Sequence, residues 1–380
     1  MPAVDVVVIG LGVTGSAALY HLARRGWRVV GIERFSPGHD RGSSHGETRI
    51  IRLGYFEHPS YVPLVRAALP LWRELETQSG RTLLDITGVL EIGAPGSVLI
   101  KGTLQSSRTH ALAHEILDAD TLMRRFPAFQ IPREFVGVFQ PEGGYLMAEA
   151  AVNAHIDLAR AAGAVIRPGE TVSAVDPQAN GVRVHTDRGA IDAGSAIVAA
   201  GAWATSLLPH LPRLRVTRQV LAWFAPNDPA LFVRDRFPVF LLESARGLHY
   251  GFPLLGDQRL KVAKHHHRDE TVDPDDYDRA IAAEDEATIR SAIADHLPAA
   301  NGPILAAKTC LYTMTADGDF ILDHLPGHPQ IVVASPCSGH GFKFAPVLGA
   351  ALADLATTGD TSYDISRFRM SRFIPASKSR

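Results

Sequence analysis

Hydrophobic and polar positions along the chain follow two rhythms that alternate in blocks. The first block is the tight apolar run Val4-Asp5-Val6-Val7-Val8-Ile9. A strand with one wet face would alternate, so this near-continuous run predicts a parallel strand buried on both faces. Three closely spaced glycines follow, and then residues 16–26, helical in composition and closing on Gly26, a residue suited to a C-cap. Residues 27–32 predict a second strand, with Glu33 at its end. Farther on, Tyr61, Leu64, Val65, Ala68, Leu69 and Trp72 recur at helical spacing and predict a helix over 60–76; Pro63 suits its first turn, and Pro70 is expected to kink it. Residues 87–93 predict a strand, 94–144 show no clear period, and 148–162 predict a helix. A hairpin is expected over 171–175 and 182–186 around Asn180-Gly181, then a buried strand over 195–200 running into Gly201-Ala202-Trp203. Strand-like runs at 217–224, 249–252 and 260–263, with a polar helix over 275–297, predict an antiparallel sheet with a covering helix. A final strand at 331–335 and a helix at 345–355 close the pattern.

At 380 residues the chain exceeds what a single core usually fills, so two domains are expected. The fold class is α/β. Segments 1–86, 145–215 and 318–380 predict a Rossmann-like dinucleotide-binding domain. Segments 87–144 and 216–317 predict an interleaved substrate domain on a large mixed or antiparallel sheet with covering helices. Apolar residues at 46% and charged residues at 21% describe an ordinary globular protein. A net charge of −2 gives no electrostatic case for nucleic acid or a membrane surface. No apolar stretch reaches the ~20 residues of a membrane helix, and no basic region with an apolar signal core precedes the first strand. Cys310 and Cys337 alone imply no disulfide framework, and a cytoplasmic protein is expected. The terminal Ser377-Lys378-Ser379-Arg380 lacks the final leucine of a peroxisomal address and is discounted.

The candidate chemistry begins in Gly10-Leu11-Gly12-Val13-Thr14-Gly15. Three glycines alone are a weak signal. Between a strand and a helix, with a second strand ending at Glu33, they form the dinucleotide fingerprint. Gly10 permits the turn, Gly12 the approach of a pyrophosphate and Gly15 close helix–strand packing, while Glu33 can accept hydrogen bonds from ribose hydroxyls. The loop after Glu33 is long and rich in Ser, Gly, His and Arg, able to lie against a flat cofactor ring. Taken singly, Cys310 reads as a small buried hydrophobe and Lys261 as a solvated charge. His265-His266-His267 reads as a surface triplet or an adventitious metal site. Three consecutive residues on a strand cannot all face one metal, so no metal is expected.

Four separated motifs together resemble the monomeric sarcosine oxidase and N-methyltryptophan oxidase family of FAD-dependent amine oxidases. They are Gly10–Gly15 with Glu33; Ser43-Ser44-His45-Gly46-Glu47-Thr48-Arg49-Ile50-Ile51-Arg52; Lys308-Thr309-Cys310-Leu311-Tyr312-Thr313; and Ser338-Gly339-His340-Gly341-Phe342-Lys343. The resemblance covers nearly the whole chain. It implies hydride transfer from the carbon beside nitrogen of an N-methyl or cyclic secondary amino acid to the flavin. The resulting imine is hydrolysed, and O₂ reoxidises the flavin to give hydrogen peroxide. It implies a thioether between Cys310 and FAD, and a cofactor site that includes Ser43, Ser44, Thr48, Gly339, Gly341, Phe342 and Lys343. Lys261 is implied to activate O₂, Arg52 and Lys343 to grip the substrate carboxylate, and Arg49 and His45 to lie on the opposite flavin face. Tyr250, Tyr312 and His265 are implied to line the amine pocket. The partners implied are a small amino acid and O₂, and the protein is implied to be a monomer.

Three places depart from that family's pattern: Ala263-Lys264 before His265, Ser335-Pro336-Cys337 before the last motif, and Phe56-Glu57-His58-Pro59 beside the pocket. These bear on substrate identity and leave the reaction class untouched. A deglycating oxidase acting on sugar–amino acid adducts, and a dehydrogenase passing electrons to a non-oxygen acceptor, stay open beside the main reading. A non-catalytic dinucleotide-binding module would give Arg52, Lys261 and Lys343 no reason to converge.

Overall fold

The apolar run at the N-terminus forms the strand Val4–Ile9 at the centre of an eight-stranded sheet. The structure, a computed structural model, describes residues 4–256 and 258–373, so the terminal Ser377–Arg380 segment lies outside the described residues. Val4–Ile9 pairs in parallel with Val29–Glu33 on one side and Gly189–Val198 on the other. Val6 and Val8 pack into the core formed with the helices Val13–Arg24, Ala148–Ala161 and Ala345–Thr358, while Val7 and Ile9 pack into a second core on the opposite face. Two buried faces account for the near-continuous hydrophobicity of the run. Val165–Pro168 extends the sheet beyond Val29–Glu33, and the hairpin Val172–Gln178 and Gly181–Thr186 extends it past the first half of Gly189–Val198. The second half of that strand pairs in parallel with His328–Ser335, which carries Ile321–Leu325 at its edge.

A second eight-stranded sheet runs in the order Ile304–Met314, Arg215–Phe224, Leu260–Lys264, Gly247–Gly251, Val239–Ser244, Val89–Gly93, Val136–Gln140, Glu115–Asp118. It is mixed: every neighbouring pair is antiparallel except Val239–Ser244 with Val89–Gly93. Along Arg215–Phe224, Val220, Ala222 and Phe224 face a core shared with the helix Ala283–His296, whereas Leu221 and Trp223 face Cys310 and Ala263 on the other side. This period-2 split aims one face of the sheet at the first domain. A small sheet of Thr48–Ile51, Gly144–Met147 and Leu84–Ile86 lies beside the two large ones.

Several elements differ from expectation. The helix expected over 60–76 begins at Val62 and runs to Ser79 with Pro70 inside it, and Val62, Leu64, Val65, Ala68, Trp72 and Leu75 are buried along it on both sides of the proline. The expected helix over 275–297 begins only at Ala283. In the segment before it, the Asp273 carboxylate accepts from the Asp275 N–H and the Asp278 carboxylate from the Ala280 N–H, local bonds that compete with a helix. The aperiodic stretch 94–144 contains the helix Val98–Thr109 capped by Ser97, the helix Ala119–Arg125 capped by Asp118, and two strands of the second sheet. Among the described residues, no helix is long and apolar enough to cross a membrane.

Candidate active site

A continuous cavity passes between the two large sheets, from Gly10 and Glu33 at one end to Arg52 and Lys343 at the other. At the first end the fingerprint adopts the backbone it needs. Gly10 has φ +86°, and a Cβ there would lie 2.7 Å from Ala199 O; a Cβ on Gly15 would lie 1.9 Å from Gly10 O. Only glycine fits either place. The first helix starts at Val13, whose N–H donates to Ser44 Oγ at 3.1 Å. Glu33 is buried and accepts from Leu11 N–H at 2.8 Å and Phe35 N–H at 3.0 Å, with His39 Nε2 at 3.4 Å. Burial raises its pKa, but His39 and the two backbone donors outweigh it and hold the carboxylate ionised. A helix N-terminus, glycines with no room for a Cβ and a buried carboxylate suit the pyrophosphate and ribose of a dinucleotide.

Midway, the Ser-Gly-His-Arg loop meets the long strand Ile304–Met314. Ser43 Oγ donates to Leu311 O at 2.5 Å. Arg49 donates to Ser43 O at 2.8 Å and Thr48 O at 2.8 Å, and its Nη2 lies 3.7 Å from Cys310 Sγ. Its guanidinium also sits over the Phe342 ring. Cys310 is buried but lines the cavity, so a thiol stands at the wall where a flavin ring would lie, beside a fixed cation. Cys337 lines the cavity too; burial raises its thiol to about 11, so it is protonated and unreactive at neutral pH. His45 is buried with both ring nitrogens unpartnered, and burial first, then Arg49, lowers its pKa to about 3.

Lys261 lies behind the strand Thr48–Ile51, outside the cavity lining. Its Nζ donates to Gly46 O at 2.6 Å, Thr48 O at 2.8 Å and Thr48 Oγ1 at 3.3 Å, above the Phe252 ring. Burial and then Arg49 push its pKa well below the ordinary lysine value. Two N–H groups serve the Gly46 and Thr48 carbonyls, and the Thr48 hydroxyl, able to donate or accept, completes the set. Thr48 and His45 share this position behind the lining, and Gly15 serves helix packing; none of the three reaches the cavity wall.

At the far end Arg52 and Lys343 converge as expected, but Arg52 already has an anion. Its Nη2 meets both oxygens of Glu57 at 2.7 and 2.6 Å, its Nη1 donates to Gly54 O, and Tyr55 and Phe56 flank the guanidinium. Burial raises the Glu57 pKa, but Arg52, His340 and Lys343 bring it down to about 2. Lys343 donates to His340 O at 2.7 Å; burial and Arg52 lower it to about 7. Behind Arg52, fully buried Glu91 lies 3.8 Å from its Nε and is raised to about 7 by burial. Opposite, the His265 ring faces Tyr312 OH at 3.2 Å, with Tyr250 beside them. A Cβ on Gly339 would lie 2.7 Å from the Tyr312 ring and 2.9 Å from His265 Cε1.

Four groups at this end were not singled out from the sequence: Glu57, Glu91, Tyr55 and His340. The Tyr55 hydroxyl meets His340 Nδ1 at 2.5 Å, and the other ring nitrogen faces Gly318 O. Glu57 stood in a noted departure from the family pattern, and its five-residue spacing from Arg52 was the available signal. Glu91 sits inside an apolar strand, Val89–Gly93, and a buried carboxylate there calls for a cationic neighbour. The His265 triplet divides: His265 enters the cavity, His266 occupies a turn, and His267 points to Asp285.

Residues 5–355 match the profile of the FAD dependent oxidoreductase family. A monomeric sarcosine oxidase of Streptomyces avermitilis is 39% identical over 384 residues, covering 99% of both chains. An N-methyl-L-tryptophan oxidase of Salmonella agona is 38% identical, covering 97% of this chain and 99% of its own. Among solved structures, NikD, described as an unusual amino acid oxidase essential for nikkomycin biosynthesis, superposes with a TM-score of 0.85 at 30% identity and covers 96% of both chains.

Proposed function

Since the chain belongs to the FAD-dependent oxidoreductase family and is an FAD-dependent amine oxidase of the sarcosine oxidase type, we propose that its substrate is a small N-methyl or cyclic secondary amino acid. The observation that carries this reading is the pairing of Arg52 and Lys343 at the same cavity end as Tyr250, His265 and Tyr312. FAD, when bound, supplies the two-electron chemistry, taking a hydride from the carbon beside nitrogen and passing the electrons to O₂. The chain's own residues bind and orient. Glu33 and the helix at Val13 would hold the adenosine and pyrophosphate, and Cys310 would anchor the ring covalently, with Arg49 Nη2 beside its sulfur.

Lys343 and Arg52 take the substrate carboxylate. Because Glu57 already neutralises Arg52, the incoming carboxylate competes with Glu57 there and meets Lys343 unopposed by so close an anion. Tyr312, His265 and Tyr250 close the amine end, where the buried His265 stays neutral and offers one ring nitrogen as acceptor. Lys261 places a positive charge behind the loop that faces the ring and favours electron transfer to O₂ by stabilising the negative charge that develops; it acts across Gly46 and Thr48 and does not touch the cavity. The same reading divides the chain into a cofactor domain (1–86, 145–215, 318–380) and a substrate domain (87–144, 216–317), supported by the strand membership of the two large sheets. It also takes the protein as a cytoplasmic monomer, in line with the relatives named monomeric.

The test is oxygen consumption and peroxide yield with sarcosine, larger N-methyl amino acids, pipecolate and fructosyl amino acids. One peroxide per N-methyl or cyclic amino acid consumed is expected. Turnover without peroxide would point to another acceptor, and activity confined to fructosyl adducts to the deglycating reading.

A further inference from the structure

The turn that delivers His265 into the cavity is held by a buried polar cluster that has no part in the roles assigned above. At the end of the strand Leu260–Lys264, His265 N–H still donates to Leu248 O at 2.8 Å. The chain then takes φ +54° at His266 and again at Asp269. Neither residue is glycine, so both conformations carry a steric cost that the surroundings must offset.

The offset lies at His267, which is 1% exposed. Its N–H donates to Gln219 Oε1 at 2.9 Å, and its Nε2 lies 3.0 Å from Asp285 Oδ1. Asp285, fully buried, forms a two-pronged pair with Arg218 at 2.9 and 2.8 Å and accepts from Ala282 N–H at 3.0 Å. Arg218 in turn donates to Asp278 O and Ala280 O, and Gln219 donates to Thr217 Oγ1. The acceptors of Asp285 are taken up by these protein donors, while His267 Nδ1 is buried without a hydrogen-bond partner. Among the described residues, no group of side chains could hold a metal there.

The network reaches the chemistry on two sides. Gln219 stands directly opposite Cys310 in the register of Arg215–Phe224 with Ile304–Met314. The His265 ring is confined between the His266 ring, 4.1 Å away, and the Tyr312 ring, 5.4 Å away, with Gly339 leaving it no spare room. A turn free to relax would move the His265 ring away from Tyr312. We propose that His267, held by Asp285 and Gln219, is a positioning residue for the amine site, locking the turn at His266 so that the His265 ring stays beside Tyr312. This rests on the reading that His265 contacts the substrate.

The experiment is a double-mutant cycle on the holoenzyme with an N-methyl amino acid. His267→Asn leaves the Arg218–Asp285 pair intact, so no buried charge is orphaned. It should lower kcat/KM by about tenfold or more, the scale expected when a site group is displaced, and should weaken the flavin absorbance shift induced by a carboxylate competitor. In a His265→Ala background the same change should cost less than about twofold, because His267 then has nothing left to position. An equal loss in both backgrounds, or none in either, would overturn the proposal. If His265→Ala by itself costs nothing, the contact between His265 and the substrate fails instead, and the two failures stay distinct. Should His267→Asn prevent folding, Gln219→Met removes the acceptor of the His267 N–H, together with the donor to Thr217 Oγ1, and carries the same cycle.

Discussion

Cys310 shows how far a residue's role depends on what surrounds it. A buried cysteine is ordinarily a small hydrophobe, and Cys310 sits among Leu221, Trp223 and Ala263 as one would. Arg49 Nη2 at 3.7 Å and the open cavity wall change that, since they set the sulfur beside a cation and within reach of whatever fills the cavity. With Cys310 as the anchor, acid precipitation should leave the yellow chromophore in the pellet for the natural enzyme and release it to the supernatant for Cys310→Ser. Colour retained by the variant would move the attachment elsewhere, with Cys337 the other thiol on the same wall. Arg52 illustrates the opposite case. Its motif marks it as a carboxylate-binding residue, but nothing in that motif reveals that Glu57 already occupies it at 2.6 Å. The partner lies on a loop whose path depends on tertiary packing, so its five-residue spacing from Arg52 is a signal for the pair and not enough to place it.

At the scale of elements, legibility followed hydrophobic period. The near-continuous apolar run of Val4–Ile9, the helix Val62–Ser79 and the hairpin at Asn180-Gly181 were readable because burial and turn chemistry agreed with the local sequence. The segment 94–144 was not, because it packs two helices and two strands into about fifty residues, so each period is interrupted soon after it starts, and the caps Ser97 and Asp118 are the signals that mark the helix starts. The late start of Ala283–His296 has the same cause: aspartates that bond their own backbone hide a loop inside a helical composition. Gly339 links this scale to function. It has φ +78°, and a methyl group there would press on both Tyr312 and His265. Gly339→Ala should therefore lower kcat/KM for the amine by about 10²-fold while leaving the far-UV spectrum unchanged. Normal kinetics in that variant would mean that the amine end is looser than these distances allow.

Across the whole molecule, several histidines are held in neutral form, some beside the cavity (His265, His340) and some in the helix-packed interior away from it (His21, His155). Burial lowers His21, His249 and His340 to about 4, and His45, His155 and His265 to about 3. All six have folded-state pKa values below the unfolded value of about 6.5. Between those limits the unfolded chain binds more protons, so stability is fully present above about pH 6.5 and falls as pH drops toward 4. The thermal midpoint should decline steadily from pH 7 to pH 4.5, well before the low-pKa Glu57 takes up a proton near pH 2. A midpoint flat over that range would show that these rings are hydrated or paired in solution.

On the proposed reading, Arg52 and Lys343 present an amino-acid carboxylate so that its amine faces the flavin. Anaerobic mixing of the holoenzyme with an N-methyl amino acid, and separately with its methyl ester, tests it most directly. The acid should bleach the oxidised flavin band. The neutral ester should do so with kcat/KM lower by about 10²-fold, since it forfeits a charge-assisted, two-cation contact. Equal reduction by acid and ester, or no bleaching by any secondary amino acid, would contradict a carboxylate grip by Arg52 and Lys343.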